Sequence, residues 1–194
     1  MEPIVNIVGE RVALGPIRRD LVDVFQRWSN DFTVRRTFGI PEPTTLEQQA
    51  KSYDRAVADN DAAFFTLYEC NGWRPIGFTY LEGIIWRDRT AEFGILIGEA
   101  DARGKGYGTE ATSLTLDYAF VALGLHSVIL RVYAYNLAGK RAYEKAGFRA
   151  FGTRRESKLM GGRLWDQIYM EALASEFTSP VLAPIFVPDM ERKS

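Results

Sequence analysis

Cysteine and histidine are almost missing from this sequence, which has one of each, Cys70 and His126. A single cysteine excludes an internal disulfide. One cysteine with one histidine makes no thiolate–imidazole metal set, so no metal is expected. Cys70 closes the strand-like run that starts at Ala63, has no basic neighbour and reads as a small buried hydrophobe. His126 follows Gly124-Leu125 at the end of a helical stretch and reads as a turn residue rather than a base. The formal net charge of −1 argues against nucleic-acid binding by bulk electrostatics. No apolar run approaches the length of a membrane span. Met1-Glu2-Pro3-Ile4-Val5-Asn6 lacks the basic start and apolar stretch of a signal peptide. These absences leave a cytoplasmic protein as the expectation, with neither membrane nor nucleic acid as partner. Repeats, low-complexity linkers and composition breaks are lacking too, so the 194 residues, 46% hydrophobic, read as one domain with an ample core.

Hydrophobic periodicity gives the order of elements. A strand is expected over 10–17, then a helix from Asp20 carrying Leu21, Val24, Phe25 and Trp28. Residues 32–43 read as irregular, and Thr45-Leu46-Glu47 opens a second helix to about Ala58. Strands follow near 63–70, 74–84 and 90–98, with Asn71-Gly72 turning between the first two. A helix ends at Leu123, before Gly124. Ser127–Tyr133 reads as a strand, and a short helix from Leu137 to Lys145 closes at Gly147. Two last strands fall near 148–156 and 163–173. A strand–helix–strand run flanked by antiparallel strands predicts an α/β layered fold of the α+β type, built on a mixed, mostly antiparallel sheet. After Glu176, Pro180, Pro184 and Pro188 alternate with apolar residues and forbid a helix. The segment 177–194 is therefore expected to lie extended against the body or a partner subunit.

Chemistry is concentrated in Arg103-Gly104-Lys105-Gly106-Tyr107-Gly108-Thr109, between a strand and a helix. Alternating glycines there turn backbone N–H groups toward one point, at the positive end of the helix dipole, which suits phosphate. The spacing fits neither a Walker loop nor a dinucleotide fingerprint. Taken alone, the loop is equally a glycine turn without a ligand. A second block decides the matter: Asn136-Leu137-Ala138-Gly139-Lys140-Arg141-Ala142-Tyr143-Glu144-Lys145-Ala146-Gly147-Phe148. Together, Arg-x-x-Gly-x-Gly and Asn-x-x-Ala-x-x-x-Tyr-Glu-Lys-x-Gly-Phe resemble the signatures of the GCN5-related N-acetyltransferases. The stretch Arg89–Gly94 and the pattern Gly162-x-x-x-Asp166-x-x-x-Met170 agree in order. The resemblance spans residues 8–176 and is nearest to the branch containing the ribosomal-protein N-terminal acetyltransferases.

That resemblance implies a single GNAT-like domain over 8–176 that transfers an acetyl group directly from acetyl-CoA to a primary amine. The backbone at Ile95 and Ile97 would pair with the pantetheine amides. The N–H groups from Arg103 through Gly104, Lys105, Gly106, Tyr107 and Gly108 to Thr109 would hold the pyrophosphate. Asn136 would bond the pantetheine arm, with Lys140 or Lys145 reaching the 3′-phosphate. The reaction needs a neutral amine, yet only about a thousandth of a lysine-like amine is neutral at pH 7.4. Glu92, on the strand before the loop, is the candidate base; the competing reading is a surface glutamate paired with Arg87 or Arg89. Tyr143 is the candidate acid for the departing thiolate, its phenol being protonated at neutral pH. In part of the ribosomal-protein branch a serine stands three residues after the asparagine; here that position is Gly139. Family analogy brings Trp28, Phe32, Arg35, Phe38 and Trp86 to the acceptor pocket.

Charge adds a polarity. From Arg131 to Arg163, Lys and Arg crowd against only Glu144 and Glu156, which suits coenzyme A phosphates. From Glu82 to Asp101 acids prevail over Arg87 and Arg89, which suits a cationic amine. The acceptor is expected to be a small amine of antibiotic, amino-sugar or polyamine type, with a protein N-terminus as the alternative. A non-catalytic acyl-CoA-binding module is the rival from another class. A monomer or homodimer is expected.

Overall fold

The structure, a computed structural model, describes residues 2–38 and 42–189. An eight-stranded sheet runs in the order β1-β2-β3-β4-β5-β6-β8-β7. Its strands are β1 (Ile7–Val8), β2 (Val12–Pro16), β3 (Ala63–Glu69), β4 (Arg74–Ile85), β5 (Thr90–Ile97), β6 (Ser127–Tyr133), β7 (Arg149–Met160) and β8 (Arg163–Leu173). Every pair is antiparallel except β5 with β6. That parallel pair needs a crossover, and α4 (Tyr107–Asp117) with the π-helical turn Tyr118–Ala122 supplies it. The expected α/β fold with a mostly antiparallel sheet is the one observed.

Alternation along the strands sorts side chains onto two faces. Phe65, Leu81 and Phe93 face α4, which inserts Leu114 and Leu116 into the core. A buried hydrogen bond of 2.9 Å between the hydroxyls of Thr79 and Thr115 fixes the helix on the sheet. The opposite face carries α1 (Val22–Asn30), α2 (Phe32–Arg35) and α3 (Leu46–Ala58); Phe25, Trp28 and Val34 pack there with Leu96. Thr45 and Gln48 form a reciprocal capping box that starts α3.

Three elements depart from the sequence reading, the first being the short β1 (Ile7–Val8), which precedes the first expected strand. The stretch expected to be irregular contains α2, a single turn started by Asp31, whose carboxylate accepts the Thr33 N–H at 2.8 Å. β7 runs on to Met160 because a bulge absorbs an irregularity near Glu156. That residue has φ +49°, and its N–H is taken up by Asp166 at 2.9 Å. Cys70 lies just past β3, partly buried, and burial pushes its thiol up. His126 is exposed in the turn before β6.

Between residues 177 and 182 the chain is tied to the body, and residues 190–194 of the expected extended segment lie outside the described residues. Phe177 packs edge-on to Phe120, with centroids 5.3 Å apart. The N–H groups of Val181 and Leu182 both donate to the fully buried Asp117 carboxylate, at 2.9 and 2.8 Å. Leu182 is buried against the core, while Ile185, Phe186 and Val187 stand exposed. Among the described residues no helix is long and apolar enough to cross a membrane.

Candidate active site

The parallel pair β5–β6 is in register only at Thr90–Ser127, Ala91–Val128 and Glu92–Ile129. Past Glu92 the strands part, although β5 continues to Ile97 and β6 to Tyr133. Gly98 donates to Ile76 on the β4 side. By alternation Phe93, Ile95 and Ile97 turn their backbone groups to the open side. A groove of about 410 Å³ occupies this opening, walled by Ile95 and Ile97, the glycine loop, α2 and the helix α5 (Leu137–Lys145).

The loop is shaped to present its amides. Gly106 is the N-cap of α4 with φ +84°, a left-handed conformation that costs an L side chain roughly 1–2 kcal/mol. No side chain caps the helix; the Thr109 N–H turns to the Gly106 carbonyl at 3.1 Å, and the N–H groups of Tyr107 and Gly108 before it are left for an anion. The loop is held from outside by Arg11. Its guanidinium donates to the Lys105 carbonyl at 2.9 Å and pairs with Glu110 at 2.9 Å. Arg103 turns back to donate to the carbonyls of Ile97 and Gly98 and to the Thr33 hydroxyl, at 3.2, 3.1 and 3.3 Å. It thereby ties the end of β5 to α2. The donor geometry and the open strand edge fit an extended ligand that ends in a diphosphate.

Several expected cofactor residues meet in the groove: Ile95, Ile97, Arg103, Gly104, Gly106, Gly108, Thr109, Asn136 and Lys145. Asn136 uses its carbonyl oxygen to cap α5 through the Gly139 N–H at 3.1 Å, which leaves its amide NH2 as the donor. Lys105, Tyr107 and Lys140 do not line the groove. The Tyr107 hydroxyl donates to Glu69 at 2.7 Å, Lys105 lies over the Tyr107 ring, and Lys140 pairs with Glu144 at 3.6 Å. Arg141, Thr33 and Thr37 do line it and were not named from sequence. Arg141 stood in the recognised motif but was passed over for its neighbouring lysines. The threonines lie in the stretch expected to be irregular.

Tyr143 packs edge-on to Phe93 and Phe148, with both centroid separations 6.2 Å, and borders the groove. Burial pushes its phenol up to about 12, so it stays protonated throughout the physiological range. Its hydroxyl has no protein hydrogen-bond partner among the described residues.

Glu92 sits where β5 and β6 part, on the sheet face opposite Phe93. It is held by the Arg131 guanidinium at 2.6 Å, not by Arg87 or Arg89. Arg87 pairs with Asp88, and Arg89 donates to the Gly124 carbonyl. Directly across from Glu92 on β4 stands Glu82. Burial first, then the charge of Glu92, raises the Glu82 carboxyl above its ordinary value. On the same face Tyr80 lies across Gly94, so closely that a Cβ there would stand 2.1 Å from the ring. Phe64 stacks on Tyr80 at 5.4 Å and Phe78 follows at 6.3 Å, making an aromatic row.

The five expected acceptor residues are dispersed. Trp28 is 1% exposed, its indole against Gly98 and its N–H donating to Glu99 at 2.9 Å; it supports the site from the core and does not wall it. Trp86 is at the outer turn of the β4–β5 hairpin, bonded to Asp61 at 2.8 Å and away from the groove. Phe32 is largely exposed, and Phe38 packs on Phe78 at 6.5 Å. Arg35 is half-buried with its Nε unpartnered, and burial lowers its pKa. Packing preference explains the misplaced tryptophans, because a large ring fills whatever void the backbone leaves.

The strands that part and the uncapped, glycine-started helix beside them make the layout that an acyl-CoA-dependent acetyltransferase requires. The acetyltransferase (GNAT) domain model matches residues 11–149, and the chain belongs to that family. The chain is 32% identical over 160 residues to the spermidine N(1)-acetyltransferase of Escherichia coli (strain K12), covering 82% of this chain and 84% of that protein. It is 26% identical over 159 residues to the human alpha/beta-tubulin-N-acetyltransferase 9, covering 76% of each. Among solved structures, it superposes on the spermidine N-acetyltransferase of Vibrio cholerae in complex with CoA and spermine. The TM-score is 0.79 at 26% identity, covering 87% of this chain and 98% of that one. The protein is an acetyl-CoA-dependent N-acetyltransferase.

Proposed function

We propose that the amine is a polyamine, acetylated in the cytoplasm at a primary ammonium. The observation that carries this reading is the acidic and aromatic wall at the parting of β5 and β6. Glu82 and Glu92 face each other there, beside the row formed by Phe64, Phe78 and Tyr80. Carboxylates attract the ammonium groups, and aromatic faces accommodate both cations and the methylene spacers between them. The likeness to two spermidine acetyltransferases supports the same reading.

In this proposal the free N–H groups of the glycine loop hold the pyrophosphate, and the open edge of β5 pairs with the pantetheine arm at Ile95 and Ile97. The Asn136 amide bonds the same arm, while Lys145 and Arg141 reach toward phosphate. The acidic wall takes a proton from the ammonium, and Tyr143 protonates the departing thiolate. The test is thiol release from acetyl-CoA with spermidine and spermine, against a pool of peptides with varied N-termini. Release with polyamines supports the proposal. Release with peptides alone replaces it with a protein N-terminal acetyltransferase.

A further inference from the structure

We infer that Glu82, rather than Glu92, takes the proton from the attacking amine. This inference rests on the acceptor reading above only for the choice of amine. Like charges directly opposite on neighbouring strands destabilise a sheet, and Glu82 and Glu92 are such a pair. The fold compensates one of them. Arg131 holds Glu92 at 2.6 Å, so the Glu92 carboxylate is already committed to a cation. Glu82 makes no hydrogen bond or ion pair of its own among the described residues and is partly buried. It is therefore the carboxylate of the pair that is not committed to a cation and can accept a proton, as a base for an alkylammonium must.

The groups around Glu82 come from four elements. Glu92 on β5 and Asp59 after α3 favour its neutral form, while Arg131 on β6 favours its charged form. Tyr80, two residues back on β4, shares the sheet face of both carboxylates and lies across from Gly94. Tyr143 borders the groove from α5, so base and acid belong to different elements flanking the parted strands.

The step balances as follows. Glu82 accepts one proton from the ammonium, leaving a neutral amine. Its nitrogen lone pair forms the C–N bond to the thioester carbon while the carbonyl π pair moves to oxygen. The C–S bond then breaks, and the Tyr143 hydroxyl gives its proton to the thiolate. The extra proton on the new amide nitrogen returns to the Tyr143 phenolate. The products are the N-acetyl amine, the free thiol and one proton carried off by Glu82.

The experiment is the pH profile of kcat/KM for wild type, Glu82→Gln, Glu92→Gln and Arg131→Gln, with acetyl-CoA affinity measured by calorimetry on each. Glu82→Gln is expected to lose roughly 10²–10⁴-fold at pH 7.5 with acetyl-CoA affinity kept, the loss shrinking as pH approaches the amine pKa of about 10.4. In the other two variants the base survives and its titration moves. The rate rises with pH as Glu82 deprotonates. Removing the Glu92 charge moves that rise to lower pH, and removing Arg131 moves it to higher pH. Glu82→Gln turning over within twofold of wild type overturns the inference. So does a Glu92→Gln variant that abolishes the pH-dependent rise. Wild-type turnover with spermidine reads the acceptor assignment by itself. The variant-to-wild-type ratio can be taken with whichever amine the wild type acetylates, so the two readings fail separately.

Discussion

Replacing Tyr143 by phenylalanine should separate chemistry from folding with little ambiguity. The ring contacts to Phe93 and Phe148 involve the aromatic faces and edges alone and survive the change. The hydroxyl has no protein partner among the described residues, so its loss orphans no buried donor or acceptor. Stability should therefore change by about 1 kcal/mol or less, a shift in Tm of roughly 2–4 °C at most for a chain of this size. The catalytic effect is of another order. With its phenol pushed up to about 12 by burial, Tyr143 is protonated at pH 7.5. Deleting a general acid costs about 10²–10⁴ in rate, on the order of 2.7–5.5 kcal/mol of barrier. The assay is thiol release under saturating acetyl-CoA and amine, alongside a melt and a calorimetric affinity for acetyl-CoA. A raised pKa also fixes the sign on the alkaline side: the acid form persists below about 12, so Tyr143 should impose no falling limb through pH 10. A variant whose kcat stays within threefold of wild type would refute the role. So would a Tm drop of about 8 °C or more, which would mark the hydroxyl as structural.

Two further expectations concern the frame around the site. Gly106→Ala puts a Cβ at φ +84°, 2.9 Å from the Arg11 guanidinium, and should weaken acetyl-CoA binding at least tenfold, about 1.4 kcal/mol, by calorimetry. Asp117→Ala removes both backbone bonds that hold residues 181 and 182, charge-assisted bonds of about 1.5–3 kcal/mol each at most. Amide exchange and limited proteolysis should both rise in the segment after Phe177, with turnover retained; unchanged protection there would show that Leu182 packing alone holds it.

The layout of this fold was largely legible because its long elements carry clear periods, and because the glycine loop and the Asn136–Phe148 block are local in sequence. What escaped was set by distant partners. The single-turn α2 has no periodicity to detect and depends on the Asp31 cap, yet it supplies Thr33 and Thr37 to the groove. Lys105 and Tyr107 lie in the recognised loop, but Tyr107 finds its partner on β3 at Glu69, which turns both side chains away from the groove. Arg11 braces that loop from the turn between β1 and β2, which carries no motif. Glu92 was visible as an acid on the strand before the glycine loop. Its tie to Arg131 and its pairing with Glu82 required the register of three strands. Aromatic residues misled most, since Trp28 and Trp86 satisfy their indole N–H groups on carboxylates remote from the groove.

The parting of β5 from β6 leaves a stretch of main chain in the middle of the sheet without a neighbouring strand. A ligand that lies along that edge completes the sheet, so it behaves as an additional segment of the folded protein. At a free concentration one hundred times its dissociation constant, such a ligand adds about 2.7 kcal/mol to the unfolding free energy. On the binding mode proposed above, acyl-CoA should therefore raise the Tm in a concentration-dependent way, and the molecule without it should be the form most open to unfolding and proteolysis.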